Sequence, residues 1–161
     1  PYRMIQIQRY REWLIETVAA VNAVSDLTVS GRAIAGVKIA VNEGHMIKKL
    51  RDSEGVWLCA NYPDATLSGD YDSSQEQNKL LLFLVEKVAS GQQDDETELL
   101  HYAKMQQLMA RIKEQLLITG AKCIDLRADD AMRTEWEYDI FGGFNGLSLG
   151  LNVIDHDRTD Y

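Results

Sequence analysis

The sequence contains few residues that cross-link a fold or interrupt its elements. Among its 161 residues there are only two cysteines, Cys59 and Cys123, and two prolines, Pro1 and Pro63. The cysteines lie far apart in apolar surroundings, there is no Cys-x-x-Cys, and the three histidines are scattered. A disulfide between the two cysteines is one alternative. Two buried, reduced thiols in a reducing cytosol agree better with their apolar surroundings.

Long apolar runs and an excess of positive charge are also missing. The longest strongly apolar run, Leu80 to Val85, is far shorter than a membrane span. No basic stretch followed by an apolar run marks a signal peptide. The net charge of -8 predicts repulsion of nucleic acid and anionic lipid, although solubility is the simpler explanation of that charge. We therefore expect no membrane partner, no sequence-specific nucleic-acid partner, and a protein made and kept in the cytoplasm or exported without a cleaved leader.

The composition, with 45% apolar and 26% charged residues, is ordinary for a globular protein, and the length favours one domain over residues 1–161. An amphipathic N-terminal helix is predicted within residues 1–26, and a polar tail over residues 155–161. The helical period of three or four is carried by Ile7, Tyr10, Leu14, Val18, Val21 and Val24. Residues 2–8 could instead begin as a strand.

Strand signals follow the first helix. Apolar residues alternate with a period of two from Leu27 to Val41, interrupted by glycines that suggest a bend, a bulge or a hairpin. Residues 42–55 predict a short helix or a basic loop, and residues 56–63 a buried strand that ends at Pro63. The turn-rich stretch after Pro63 has room for one more short strand.

The stretch "GDYDSSQEQNK" resembles the beginning of a calcium loop, because Asp70, Asp72 and Ser74 are spaced two apart. A complete loop needs glycine at position 6 and a bidentate glutamate at position 12, where this sequence has Gln75 and Leu81. Ser73 and Glu76, by contrast, have the spacing of a capping box directly before an apolar run. We therefore predict that a buried helix begins here and runs from about Ser74 to Ala89.

A second helix and a C-terminal hairpin complete the predicted elements. Asp95 and Glu98 predict the start of a helix to about Ile118, with Gly120 as its C-cap residue. Its apolar stripe consists of Leu99, Tyr102, Met105, Met109, Ile112 and Leu116. A short strand and a turn are predicted between Ala121 and Met132.

The C-terminal region has the clearest strand pattern. One predicted face carries Thr134, Trp136, Tyr138 and Ile140; the other carries Arg133, Glu135, Glu137 and Asp139. A Gly/Asn loop then leads to a strand with Leu147, Leu149, Leu151 and Val153 on one face. The sequence thus predicts an α+β fold: an antiparallel-dominated sheet with helices packed on one face and a C-terminal β-hairpin.

Several motifs partly resemble sites of chemistry. "GRAIAGVK", residues 31–38, lacks the Gly-Lys-Ser/Thr ending of a phosphate-binding loop. The paired acids of "DLRADD", residues 125–130, are typical of turns and caps. His156 in "IDHD" has no second histidine placed in sequence to help bind a metal. The basic cluster "HMIKKLR", residues 45–51, could contact phosphate or an acidic surface, but a solvated helix face is favoured.

Two single residues, His101 and Cys59, are further candidates for chemistry. His101 lies near the start of the long helix beside leucines, which favours a packing role over that of a general base. Cys59 needs an activating base to act as a nucleophile, and only His45 is a spatial possibility. We therefore predict no catalytic, cofactor-binding or metal-binding residues and no enzymatic activity.

The order of motifs from Trp57 onward resembles small tail-completion and tail-terminator-like subunits of tailed bacteriophages and contractile injection systems. The resemblance rests on the strand ending in Pro63-Asp64, the stretches "DSSQEQNKLLLFLVEKV" and "YAKMQQLMARIKEQL", and the final "EWEYDIFGGFNGLSLGLNVID". Those proteins commonly end in a strand entered through Asn-Gly, here Asn145-Gly146, although Leu147 stands where an aromatic residue is usual. The resemblance covers the last two-thirds of the chain.

The resemblance implies a ring-forming structural subunit at a tail end or neck, with other tail proteins as partners and no catalysis. It also implies a location in the bacterial cytoplasm during assembly and in the virion or injection particle afterwards. The acidic charge suggests a lumen through which DNA slides without binding. The alternatives are a small cytosolic binding or regulatory module that dimerises through the Met105–Ile112 stripe, and a small hydrolase that uses a carboxylate or Cys59.

Overall fold

The computed structural model describes residues 6–24, 33–68, 75–89, 93–123 and 132–155. These residues form three helices and six strands in the order α1 (Ile7–Val24), β1 (Gly36–Ala40), α2 (Glu43–Leu50), β2 (Val56–Asn61), β3 (Asp64–Ser68), β4 (Gln75–Lys87), α3 (Asp95–Cys123), β5 (Met132–Ile140) and β6 (Phe144–Asp155). The predicted N-terminal helix, the strand before Pro63 and the optional short strand after it are confirmed. Of the alternating region from Leu27 to Val41, the structure describes β1; residues 25–32, and residues 156–161 of the predicted tail, lie outside the described part.

The strands form one mostly antiparallel sheet in the order β1-β2-β4-β6-β5, with β3 also paired to β4. Among the described strands, only β1 and β2 are parallel, and β5 and β6 form the C-terminal hairpin. The predicted α+β class is confirmed. The helices α1 and α3 pack on one face of the sheet, called here the α1/α3 face, and the short α2 lies against the other, called the α2 face.

The predicted helix from Ser74 to Ala89 is wrong, because these residues form the central strand β4. Its Glu76 lies opposite Leu67 of β3 and Asp155 of β6, so it cannot close a capping box. A run that is apolar at every position fits a buried helix, but it fits equally a strand that is buried on both faces. Leu80, Leu82 and Leu84 point to the α1/α3 face, whereas Val85 belongs to the cluster under α2.

The main core lies between the sheet and the two long helices. Helix α1 buries Tyr10, Trp13, Leu14, Val18 and Val21; α3 buries Met105, Leu108, Met109, Ile112 and Leu116; and β6 contributes Leu147, Leu149, Leu151 and Val153. The alternation predicted for β6 is therefore confirmed. The proposed dimer through the Met105–Ile112 stripe is wrong, because this stripe is buried against the chain's own α1 and sheet.

Helix α3 starts and ends differently from the prediction. The carboxylate of Asp94 accepts a hydrogen bond from the backbone N–H of Thr97 at 2.8 Å, which makes Asp94 the N-cap residue. Gly120 is not a C-cap, because α3 continues to Cys123. The strand predicted after Ala121 is wrong for residues 121–123, which are helical, and residues 124–131 lie outside the described part.

The turn of the C-terminal hairpin lies earlier than the Asn-Gly pair. Residues 141–143 turn the chain with positive φ angles of 53° at Phe141, 84° at Gly142 and 117° at Gly143. Asn145 and Gly146 lie inside β6, where the Asn145 side chain accepts a hydrogen bond from the backbone N–H of Asp139 at 2.7 Å. Asn145 therefore stabilises the strand end next to the turn rather than forming the turn.

Candidate functional site

The two residues that the sequence offers for covalent chemistry, Cys59 and His45, are a buried residue and a residue bonded to the backbone. Cys59 is a free thiol on β2, buried under α2. Burial raises its pKa to about 12, against a smaller lowering by the nearby charge of Lys38. The thiol is therefore protonated at neutral pH and is not an activated nucleophile. His45 lies on α2, where its Nδ1 accepts a hydrogen bond from the backbone N–H of Val41 at 3.1 Å.

His101 joins α3 to the central strand. Its side chain is only 8% exposed, and its Nε2 lies 2.9 Å from Oε1 of Glu86 on β4. Lys104 Nζ lies 3.3 Å from the same oxygen. The hydrogen bond from His101 is the main reason that the pKa of Glu86 is lowered, and the charge and hydrogen bond of Lys104 lower it further against the opposing effect of burial. The three side chains form a clamp between helix and sheet, which supports a packing role for His101.

The lowered pKa of Glu86 predicts a pH-dependent contribution to stability. The contribution is fully present above the ordinary pKa of 4.5 and is lost as the pH falls through the lower folded-state pKa. We expect Glu86→Gln to lower the free energy of unfolding by about 1 kcal/mol near neutral pH, and by less at pH 3. Urea denaturation across this pH range measures the difference; the exposed Glu12→Gln on α1 is the control. A loss that is the same at both pH values would contradict the role given to Glu86.

Of the remaining sequence motifs, the structure describes the basic cluster and part of the segment at residues 31–38, and the acidic and histidine motifs lie outside the described residues. The residues from Gly36 to Lys38 of "GRAIAGVK" lie in β1. The basic cluster lies in α2 and the residue after it, so the predicted short helix is confirmed and the alternative of a basic loop is wrong. Within the cluster, Lys49 Nζ donates a hydrogen bond to the Ile39 carbonyl oxygen. Asp70, Asp72, His156 and residues 125–130 lie outside the described part. Within the described ranges no group of three or more His, Cys, Asp or Glu side chains is placed to hold a metal ion.

A groove of about 400 Å³ lies on the α2 face, between α2 and the turn of the hairpin. Its lining is mainly apolar, and two of its polar side chains stabilise the fold. Asn61 accepts a hydrogen bond from the backbone N–H of Leu81 at 2.8 Å, and Glu137 accepts one from Ser148 Oγ at 2.8 Å. The groove therefore gives no support to the hydrolase hypothesis, which required convergent polar groups in a deep pocket.

The outer edge of β5 is the most unusual surface of the described chain. β5 is an edge strand of nine residues that pairs with β6 on one side. Within the described residues no strand pairs with its other side. Trp136 is 57% exposed and Tyr138 is 69% exposed. Both lie on an edge strand whose pairing with β6 shifts register between Glu137 and Ile140. The outer backbone groups of an edge strand can pair with another chain.

Trp136 is held in place by α3. The ring of Trp136 packs edge-on against Tyr102 with centroids 5.6 Å apart. The Tyr102 hydroxyl donates a hydrogen bond to the Glu137 carbonyl oxygen at 2.7 Å. Leu99, three residues before Tyr102 on α3, is also exposed. We call Leu99, Tyr102, Trp136 and Tyr138 the aromatic patch; its anchoring to α3 makes it a preformed surface.

The sequence predicted the alternation of β5 up to its bulge but not its exposure. Ile140, predicted on the face of Trp136, packs instead in the cluster under α2, because the register shifts between Glu137 and Ile140. The face with Thr134, Trp136 and Tyr138 was expected to meet the helices, yet all three residues are exposed beyond α3. The sequence did contain a signal of this exposure on the opposite face of the strand. There, every second residue is charged: Arg133, Glu135, Glu137 and Asp139. Charges at every second position are a common protection of edge strands, so this pattern favours an edge over a central strand.

Comparison with known proteins does not assign the chain. No family model and no curated protein matches it. Of the helices in the described residues, none is both long enough and apolar enough to cross a membrane.

Proposed function

We propose that this protein is a non-enzymatic structural subunit that assembles with copies of itself into rings. We further propose that it is a tail-terminator, tail-completion or neck-like component of a phage or phage-like contractile injection assembly. The observation that carries the proposal is the exposed edge of β5 with Trp136 and Tyr138.

The β5 edge has the chemistry of a protein-binding surface. Natural proteins usually shorten, cover or charge an exposed edge strand, because its free backbone groups pair with other chains. Here the charges lie on one face only, and the other face presents two large aromatic side chains. Aromatic residues are enriched at protein interfaces because they bury a large area and lose little conformational entropy. A partner strand could therefore gain both backbone hydrogen bonds and aromatic packing at this edge.

The place in a phage tail or injection machine is proposed from the resemblance and from charge. The net charge of -8 suits a ring whose lumen passes DNA without retaining it. Such a subunit would fold in the bacterial cytoplasm and then become part of the particle. Acidic side chains on the outer wall of an assembled ring, rather than at the lumen, would contradict the charge argument.

A homodimeric binding or regulatory module is the second candidate. The exposed β5 edge favours it as much as it favours a ring, because two copies could pair through the same strand. Such a dimer would leave the aromatic patch buried and would not grow further. Particle mass separates the two candidates.

The experiment is a measurement of assembly in the wild type and in Trp136→Asp. We expect multi-angle light scattering and negative-stain microscopy to show closed rings of the wild type. Trp136→Asp should weaken association by about 30-fold or more, which corresponds to a loss of about 2 kcal/mol at an interface hot spot. The matched control is Ile118→Asp, which changes a 54% exposed apolar residue on α3.

Different outcomes reject different parts of the proposal. A wild type that stays monomeric at about 100 μM, where even a weak interface of about 1,000 Å² should be detectable, would reject self-assembly. A stable dimer that grows no further would favour the binding module. If the protein forms rings that do not bind to purified tail tubes or other tail proteins, the proposed ring assembly is supported and the proposed role in a tail is rejected.

A further inference from the structure

We infer that the groove on the α2 face binds a small organic cation, an amine with an apolar body. This inference goes beyond the proposed assembly, because the groove lies on the opposite face of the sheet from Trp136. Its basis is the chemistry of the described lining, which combines exposed aliphatic side chains, two aromatic rings and two carboxylates.

The groove leaves apolar surface uncovered. Leu81 of β4 lines it and is 40% exposed, and Val41, the residue after β1, lines it and is 65% exposed. A volume of about 400 Å³ is within the range of sites for small ligands, which are mainly apolar with a few polar groups. An apolar ligand of this size would remove both side chains from water, which is favourable.

A shift of register builds one wall of the groove. The regular pairing of β5 with β6 is interrupted between Glu137 and Ile140. Ile140 and Phe141 therefore pack under α2, where the Phe141 ring lies edge-on to that of Phe83 with centroids 5.0 Å apart. Phe141 has a φ angle of 53°, which bulky residues rarely adopt, and such strained positions cluster at binding sites. The packing of the chain thus holds both rings at the groove in advance of a ligand.

The charge of the described lining is entirely negative. Glu43 and Glu137 each contribute a carboxylate, and no described lining residue carries a positive charge. Glu43 lies in the first turn of α2 and is exposed. Carboxylates attract an ammonium group and repel an anion, and the faces of aromatic rings also attract cations. The groove therefore favours a cation over a carboxylate or phosphate of the same size.

The fold already uses the other polar side chains of the described lining. The Asn42 side chain accepts a hydrogen bond from the His45 backbone N–H at 2.9 Å, and Asn61 is bonded to the backbone of β4. Glu137 accepts a hydrogen bond from Ser148 Oγ, but a carboxylate has two oxygens and retains further acceptor capacity. The carboxylates of Glu43 and Glu137 are therefore the groups that orient the ammonium group.

Three ligands with the same tail and different heads test the inference: hexylammonium, hexanol and hexanoate. We expect hexylammonium to bind about tenfold more tightly than hexanoate at low ionic strength, with hexanol between them. Added salt should reduce this difference, because it screens the charges of the exposed carboxylates. Protein-observed NMR titration measures the affinities, and the backbone amide shifts should be largest at Val41, Leu81 and Phe141.

Two variants test the two parts of the groove. Leu81→Arg fills the groove and adds a positive charge, so it should lower the affinity for hexylammonium by about tenfold or more. Its matched control is Leu100→Arg, which changes a 71% exposed leucine on α3 and should leave the affinity unchanged. Glu43→Gln should weaken hexylammonium several-fold and leave hexanol unchanged. Circular dichroism and thermal unfolding of each variant establish that the fold is retained.

The outcomes separate this inference from the proposed function. Equal affinities for hexylammonium and hexanol would overturn the assignment of a cation. No shift at the groove with about 10 mM of any of the three ligands would overturn the ligand site. If Leu81→Arg then weakened association between copies, the groove would be a contact between copies instead. A strictly monomeric wild type that binds hexylammonium would reject the assembly and support the cation site.

Discussion

Gly146→Ala is expected to destabilise the protein by about 3 kcal/mol or more, the upper range for overpacking a buried site. A Cβ atom at this position would overlap the Leu84 carbonyl oxygen, and it would lie 2.9 Å from the Leu84 carbonyl carbon and 3.0 Å from the Val85 Cα. All three atoms belong to the backbone of the central strand β4, which pairs with β2 and β6 on its two sides. Unlike a flexible side chain, this backbone cannot move aside without disturbing the sheet.

Gly150→Ala is the matched control on the same strand. The nearest atom to an added Cβ there is the Arg133 carbonyl oxygen at 4.0 Å, so the methyl group fits. Alanine restricts the unfolded chain more than glycine does, which predicts a change of less than about 1 kcal/mol in the stabilising direction. Equilibrium urea denaturation of both variants measures the contrast. Equal effects at the two positions would show that β4 does not approach Gly146 as closely as described.

Leu108→Ala is expected to lower the free energy of unfolding by about 2–5 kcal/mol, the cost of a cavity at a fully buried leucine. Leu108 is 0% exposed and lies in the main core between α1, α3 and the sheet. Leu108 lies within the segment Met105–Ile112, whose stripe the sequence offered as a dimer interface. Because the structure buries it within one chain, the variant should change stability and not the affinity between copies.

Leu100→Ala provides the comparison on the same helix. Leu100 is 71% exposed, so its truncation should change stability by less than about 0.5 kcal/mol. Thermal unfolding and light scattering are measured together for both variants at temperatures where Leu108→Ala remains folded. If Leu108→Ala kept its stability but lost self-association, the stripe would be an interface after all.

The incorrect prediction of a helix from Ser74 to Ala89 has a physical cause. The run from Leu80 to Val85 is apolar at every position and therefore has no periodicity. Such a run does not distinguish a buried helix from a strand that is covered on both faces. The adjacent Ser73 and Glu76 matched a capping box, and this local signal favoured the helix. The pairing of β4 with three other strands outweighs such a local preference, because each ladder satisfies backbone groups along the strand.

The Asn145-Gly146 pair was misleading for a similar reason. Asn-Gly is the strongest short-range signal for a hairpin turn. The turn is instead formed by residues 141–143, and Gly146 is needed where β6 passes close to the β4 backbone. A glycine that permits close approach and a glycine that permits a turn look the same in a sequence.

The candidate surface could be predicted only in part. The alternation of charged and aromatic residues in β5 is visible in the sequence, since side chains in a strand alternate between faces. Which strand lies at the edge, and how far α3 covers it, depend on contacts between segments distant in the chain. The same limit applies to the groove on the α2 face, which joins residues from several separate elements.

The amino-acid sequence by itself determined the helical periods of α1 and α3, the alternation of β6 and of β5 up to its bulge, and the α+β class, because these follow from local spacing. The tertiary structure decided that β4 is a central strand, that Met105–Ile112 faces inward, and that Trp136 remains exposed at an edge. The physical reason is that burial and strand pairing are properties of contacts between distant segments. A local pattern restricts such contacts to a few alternatives, and only the packing of the whole chain selects one of them.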